Sequence, residues 1–255
     1  MFDVGLFLHS SFPALLLCLL LFVFFAVAGS AVKIQAKEQE NVKQTIAAKI
    51  KEIASINVEA VEKSPIEGIY EIVANKGSIV FYYAPKSELI IFGEIYDKNK
   101  KSLTQEKRDQ LQAKKITDIP LDKAIKIGTG KNKVIEFTDP DCPYCRQAAE
   151  YFKNKNVTKY VYLIPIVQLH PKAEEKAKYI LAAEDKVKAY YEVMSGAKDK
   201  DDLSSQKISK DVNDMYQAQQ SIGNKIGITG TPAFWINGKY VPGANIKMFD
   251  TLLVK

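Results

Sequence analysis

Residues 134–145 read Val134-Ile135-Glu136-Phe137-Thr138-Asp139-Pro140-Asp141-Cys142-Pro143-Tyr144-Cys145. Val134 to Thr138 is a short buried-strand candidate and Arg146 to Asn154 suits a helix, so the two cysteines fall at a strand-to-helix junction. That placement sets the first sulfur at a helix N-terminus, where unpaired amides and aligned peptide dipoles favour a thiolate over a thiol. The thiol pKa then drops below its free value of about 8.5, which makes Cys142 the expected nucleophile near neutral pH. Cys145, one turn further in and less exposed, is expected to attack the mixed disulfide formed at Cys142 and release the product.

Downstream, Lys159 to Val167 is a second strand run with Val-Tyr-Leu-Ile at its centre. A helical stretch follows, its first apolar face formed by Ala173, Ala177, Ile180, Leu181 and Ala182. Ala233 to Ile236, the turn Asn237-Gly238 and Lys239 to Val241 make a terminal hairpin, and Ile246 to Leu253 closes as an amphipathic helix. Strand, helix, strand, helical insert (about 171–225), hairpin and helix is the order of an α/β thioredoxin fold, occupying residues 121–255. In that architecture Thr231-Pro232 is expected to be a cis pair opposite the sulfurs, its backbone free to bind an extended substrate segment. Tyr144, with Pro143, occupies the variable dipeptide and is expected to shape the pocket. Glu136 stands in an otherwise apolar strand. A buried carboxylate there would have a raised pKa and could relay the proton of Cys145 through water.

Zinc is the competing use of two nearby thiolates, but a tetrahedral site needs two more ligands. The chain has two histidines, His9 and His170, and a third cysteine, Cys18, inside an apolar leader. Neither a metal nor a cofactor is expected.

Upstream, residues 37–97 read as a small α+β unit. Val42, Ile46, Ile50 and Ile53 share a helical face; Ile69 to Val73 and Ser78 to Tyr83 flank the hairpin turn Asn75-Lys76-Gly77, and Glu88 to Gly93 follows. So thin a core would gain from pairing with a second copy, the alternative being a monomeric add-on domain. Residues 98–120 form a polar connection in which Gln105 to Lys115 suits an exposed, semi-rigid linker helix, and Pro120 marks the boundary. Phe12 to Ala28 is almost wholly apolar and ends in Ala26-Val27-Ala28, so residues 1–28 read as a cleaved export signal or an uncleaved anchor. No Lys or Arg precedes that run.

The 255-residue chain is 47% apolar and 26% charged, with a net charge of +6. Acidic residues are interspersed among its lysines, without the concentrated basic stripe of a nucleic-acid binder, so no nucleic-acid partner is expected.

Taken together, Cys142-Pro143-Tyr144-Cys145, Gly230-Thr231-Pro232-Ala233 and Gly238-Lys239-Tyr240-Val241-Pro242-Gly243 resemble the DsbC/DsbG family. So do Ser64-Pro65-Ile66-Glu67-Gly68-Ile69-Tyr70 and Gly93-Glu94-Ile95-Tyr96-Asp97. The resemblance implies a periplasmic homodimer joined through its N-terminal domains. Its substrates would be cysteine-containing exported proteins, and a membrane reductant of the DsbD type would keep it reduced. Cys142 would be the attacking thiolate, Cys145 the resolving thiol and Thr231-Pro232 the substrate-facing loop. Three features depart from the DsbC pattern. Pro143-Tyr144 resembles DsbG, Ala182 stands where DsbC-like proteins carry a structural-disulfide cysteine, and Glu136 resembles DsbA-type oxidases. Isomerase, reductase and oxidase directions stay open, as does a chaperone-like binding role with secondary redox activity.

Overall fold

The structure, a computed structural model, describes residues 37–253; the apolar segment read as a leader, with His9 and Cys18, lies outside the described residues. A helix through residues 37–54 (α1) precedes a four-stranded antiparallel sheet in the order β1-β2-β3-β4. Its strands are β1 (Val58–Lys63), β2 (Tyr70–Ala74), β3 (Ile79–Ala84) and β4 (Leu89–Ile91). On α1, Ile46 and Ile50 are buried against the sheet with Val61, Ile72, Phe81 and Tyr83, whereas Val42 and Ile53 are exposed at 38% and 47%. The apolar stripe read from the sequence is therefore only half used within one chain. The β2–β3 turn has Asn75, Lys76 and Gly77 all at positive φ, a conformation that costs little at Asn and Gly and more at Lys. Glu59 offsets this by accepting the turn amides of Lys76 and Gly77.

Helix α2 (Leu103–Lys115) starts at Ser102, whose hydroxyl accepts from the Gln105 amide as an N-cap. Its sequence suits an exposed linker, yet Thr104 and Gln112 are buried. Thr104 meets the Tyr82 hydroxyl at 2.5 Å. Gln112 donates to Gly77 O at 3.3 Å, and its own carbonyl accepts from the indole of Trp235 at 2.9 Å. Lys76 also reaches across, its amine donating to Asn224 O. The polar helix thus docks on both units through hydrogen bonds, which hydrophobic periodicity does not register.

The second sheet has the order β5-β7-β6-β8-β9, formed by β5 (Ile125–Ile127), β6 (Asn132–Thr138), β7 (Val157–Leu163), β8 (Ala233–Ile236) and β9 (Lys239–Pro242). Only β6 and β7 are parallel, because α3 (Pro143–Phe152) carries the chain back between them as a crossover helix. β7 ends at Leu163 rather than Val167: Pro165 has no ladder donor, and the Ile166 amide turns to the Asp139 carboxylate at 2.7 Å. Helices α4 (Ala173–Ala182), α5 (Lys186–Met194) and α6 (Lys210–Ile226) fill the interval before β8, and α7 (Ile246–Leu252) closes the chain. On α4 the buried apolar residues are Ala173, Ala177, Ile180 and Leu181, while Ala182 is exposed. One core cluster packs α4, α5 and Tyr216 of α6 over β7 and against Cys142 and Cys145; a second, on the same sheet face, packs Phe152, Phe234 and Phe249, and a third gathers Phe137, Tyr162 and Trp235 on the other face.

Two consequences position the site. The C-terminal end of β6 leads straight into α3, and the antiparallel register Phe137↔Ala233 lays residues 231–232 alongside that exit.

Candidate active site

Cys142 is the N-cap of α3, with φ −72° and ψ 122°, and Pro143 takes the first helical position. Proline suits that position because an N–H there would have no helical partner. The helix begins three residues before the Arg146 start read from the sequence, so Pro143 and Tyr144 belong to its first turn. Both are exposed, Tyr144 at 66%. Cys142 is 7% exposed and Cys145 0%; both are free thiols.

Across from them the Thr231–Pro232 peptide is cis. Cys142 Sγ lies 3.6 Å from the Thr231 carbonyl, so the pair expected from separated stretches of sequence does meet. Pro232 is buried and Thr231 half-buried.

The Cys142 thiol is held well below an ordinary thiol, at about 6. The largest cause is a hydrogen bond from the Cys145 thiol, and the amides of Cys145 and Tyr144 add to it against burial and the negative charge of Asp139. Burial pushes the Cys145 thiol far up, and its bond to Cys142 pushes the same way; the nearby Thr138 hydroxyl and Asp139 amide only partly offset this. Two thiols a turn apart are thus driven in opposite directions, one toward the anion and one toward the neutral form.

Glu136 is fully buried, but its carboxylate forms an ion pair with the equally buried Lys159 at 2.7 Å. The Tyr190 hydroxyl lies 3.0 Å from Lys159 Nζ and 3.4 Å from both Glu136 oxygens. Glu136, Lys159 and Tyr190 thus form a buried triad, joined to the surroundings of Cys145 through Tyr190 in the shared core cluster.

Sequence reading missed Asp139. Its amide donates to Cys145 Sγ at 3.3 Å, its carbonyl accepts from the Cys142 amide at 3.2 Å, and its buried carboxylate meets His170 Nδ1 at 2.9 Å. An ionic cluster beside the helix start was missed too. Arg146 grips Asp199 with two bonds of 2.7 Å and Asp141 with one of 2.9 Å, and Lys176 reaches both carboxylates. The Asp141-x4-Arg146 spacing was the only local signal. The partners at positions 170, 176 and 199 come from elements that pattern alone does not bring together.

Residues 120–253 match the family model described as "Thioredoxin-like domain", and residues 33–105 match "Disulfide bond isomerase protein N-terminal domain". The chain is a thioredoxin-like protein. Within that class it belongs to the DsbC/DsbG family of thiol:disulfide interchange proteins. It is 34% identical over 122 residues to the "Probable thiol:disulfide interchange protein DsbC" of Bordetella avium, covering 46% of this chain and 43% of that protein. To the "Thiol:disulfide interchange protein DsbC" of Escherichia coli it is 28% identical over 188 residues, covering 72% and 75%. A solved disulfide interchange protein from Neisseria gonorrhoeae aligns at 30% identity and a TM-score of 0.44, over 54% of this chain and all of that one. The chain spans 43% to 65% of the length of the Bordetella relatives it matches.

Proposed function

We propose that this protein is a thiol-disulfide oxidoreductase that isomerises or reduces disulfides in cysteine-containing exported proteins. The observation that carries the reading is the acidic Cys142 sulfur at a helix start, facing the backbone before cis-Pro232, with a neutral buried thiol one turn behind. Cys142 thiolate attacks one sulfur of a substrate disulfide, forming a mixed disulfide and expelling the other sulfur as a thiolate. In isomerisation that thiolate attacks elsewhere in the substrate and a later exchange returns Cys142 as a thiolate. In reduction Cys145 loses its proton, attacks Cys142 and closes the Cys142–Cys145 disulfide; the substrate leaves with two more electrons. Thr231 and Pro232 hold the extended substrate segment, while Pro143 and Tyr144 border it. Glu136, through Tyr190 and Lys159, is the proposed sink for the Cys145 proton, and Glu136→Gln should accumulate the mixed disulfide.

Pairing of two copies through the N-terminal unit is part of the proposal. It is supported by the matched N-terminal domain and by exposed Leu89, Ile91 and Phe92 at the β4 edge. A periplasmic location, export by the N-terminal segment and re-reduction by a membrane partner of the DsbD type complete it. Refolding of a scrambled multi-disulfide protein tests the central claim: the wild type should raise the native yield, and a yield equal to that of Cys142→Ala rejects it.

A second reading, a dithiol oxidase, is favoured by one observation. A thiolate stabilised at about 6 stabilises the reduced form and makes the disulfide more oxidising. An oxidised Cys142–Cys145 pair in cells would select it; a reduced pair would select the isomerase or reductase.

A further inference from the structure

Deepening the redox reading above, and resting on it, we propose that His170 is a positioning residue that tunes the Cys142 nucleophile through the buried carboxylate of Asp139. Asp139 is 0% exposed and engaged at each of its polar atoms. Its main chain bonds to both cysteines. Its carboxylate accepts from the amides of Asp141 at 2.8 Å and Ile166 at 2.7 Å, and from His170 Nδ1 at 2.9 Å. The two amides cannot change charge. The imidazole can, since histidine is the side chain whose ordinary titration falls between about pH 5 and 8. The His170 side chain is 23% exposed, so solvent protons reach it while the carboxylate behind it is sealed.

The sign of the effect follows from charge. Asp139 opposes a thiolate at Cys142, and a cation on His170 cancels that opposition, so a protonated His170 makes Cys142 more acidic. Other charged and titratable groups around Asp139 are otherwise engaged. Arg146 of α3 is held by Asp199 and Asp141, and Lys176 of α4 by the same two carboxylates. Tyr216 of α6 also faces Asp139, but as a neutral phenol pushed up to about 12 by burial. Lys172, at the start of α4, is exposed to solvent. Of the groups bonded to the Asp139 carboxylate, His170 is the one whose charge can change.

Because coupling is reciprocal, the test needs no mutation. The full chain has two histidines, so the His170 ring resonance is readily assigned by NMR. Its pH titration in the reduced protein should move to lower pH by about half a unit once Cys142 is alkylated, because alkylation removes the negative charge that favours a protonated ring. His170→Gln keeps an N–H donor for Asp139 but never carries charge, and should raise the Cys142 midpoint, read by thiolate absorbance, by a similar half unit. In an Asp139→Asn background the same substitution should do nothing. An unmoved His170 curve together with an unchanged Cys142 midpoint in His170→Gln overturns the proposal and leaves the redox reading standing. A wild-type Cys142 that ionises like an ordinary thiol removes both. Should His170→Gln fail to fold, the wild-type NMR comparison decides alone.

Discussion

Removing Cys145 should change Cys142 in a way that a single rate measurement hides. The bond from the Cys145 thiol is the largest cause of the low Cys142 value of about 6, and a hydrogen bond to a charged group contributes about 1.5–3 kcal/mol. At about 1.4 kcal/mol per unit, Cys145→Ala should raise the Cys142 midpoint by about one to two units, to about 7.5. The helix amides of Cys145 and Tyr144 remain, so the value should not return to that of a free thiol. At pH 7 the thiolate fraction then falls roughly fourfold, while intrinsic nucleophilicity rises roughly fivefold for a Brønsted slope of ~0.45. The alkylation rate at neutral pH should therefore barely move. The informative assay is the full pH profile, by absorbance near 240 nm and by iodoacetamide rate: a later midpoint and a higher plateau. Cys145→Ser, whose hydroxyl can still donate, should recover most of the shift. A Cys145→Ala midpoint still near 6 would refute the reasoning and assign the acidity to the helix terminus alone.

Lys159→Met strands the fully buried Glu136 and should cost about 3–5 kcal/mol in urea unfolding, whereas Lys159→Met with Glu136→Leu should recover most of that loss. Asp199 is held well below the usual carboxylate range, chiefly by the Arg146 guanidinium and then by Lys176. Because this is a depressed carboxyl, its contribution is complete above the unfolded value near 3.9 and is lost as pH falls through its lower folded value. Asp199→Asn should therefore cost on the order of 1 kcal/mol from about pH 5 to 8, the solvent-screened size for a half-exposed pair. The difference from wild type should shrink in acid unfolding below about pH 4. Gly130→Ala would drive a Cβ to 2.2 Å from both Asn156 C and Val157 N, backbone atoms that cannot swing aside. It should lower stability by about 1–3 kcal/mol, while Gly238→Ala, with nothing within 4 Å but a φ of +84°, should lose only the smaller cost of a strained turn.

How far the sequence could be read depended on whether a signal was local. The Cys142–Cys145 junction, the turn at 75–77 and the hairpin at 237–238 each declare themselves within a few residues, and so they were legible. Strand β1 was not. Of its residues Val58–Lys63 only Val61 is buried, and the charges of Glu59, Glu62 and Lys63 mask the alternation that would mark a strand. β5 is three residues long, too short to show a period. Lys159 looked like the polar start of a strand because the partner that justifies its burial, Glu136, lies diagonally across the β6–β7 register, where Val134 faces Lys159 and Glu136 faces Val161. Asp139 and His170 are a similar case: their bond joins two loops, and neither residue is unusual where it stands.

The tethers around α2 bear on how the protein can be cut apart. Lys76 caps the carbonyl end of α6 one turn before Gly227, and Gln112 holds the indole of Trp235, three residues past cis-Pro232. Both anchors belong to the N-terminal side of the chain, yet both brace the two ends of the segment that faces the reactive sulfur. A fragment beginning at residue 120 keeps its cysteines while its cis-Pro232 loop is unstayed at either end. Exchange rates measured on such a fragment would describe a slacker jaw than the intact chain closes.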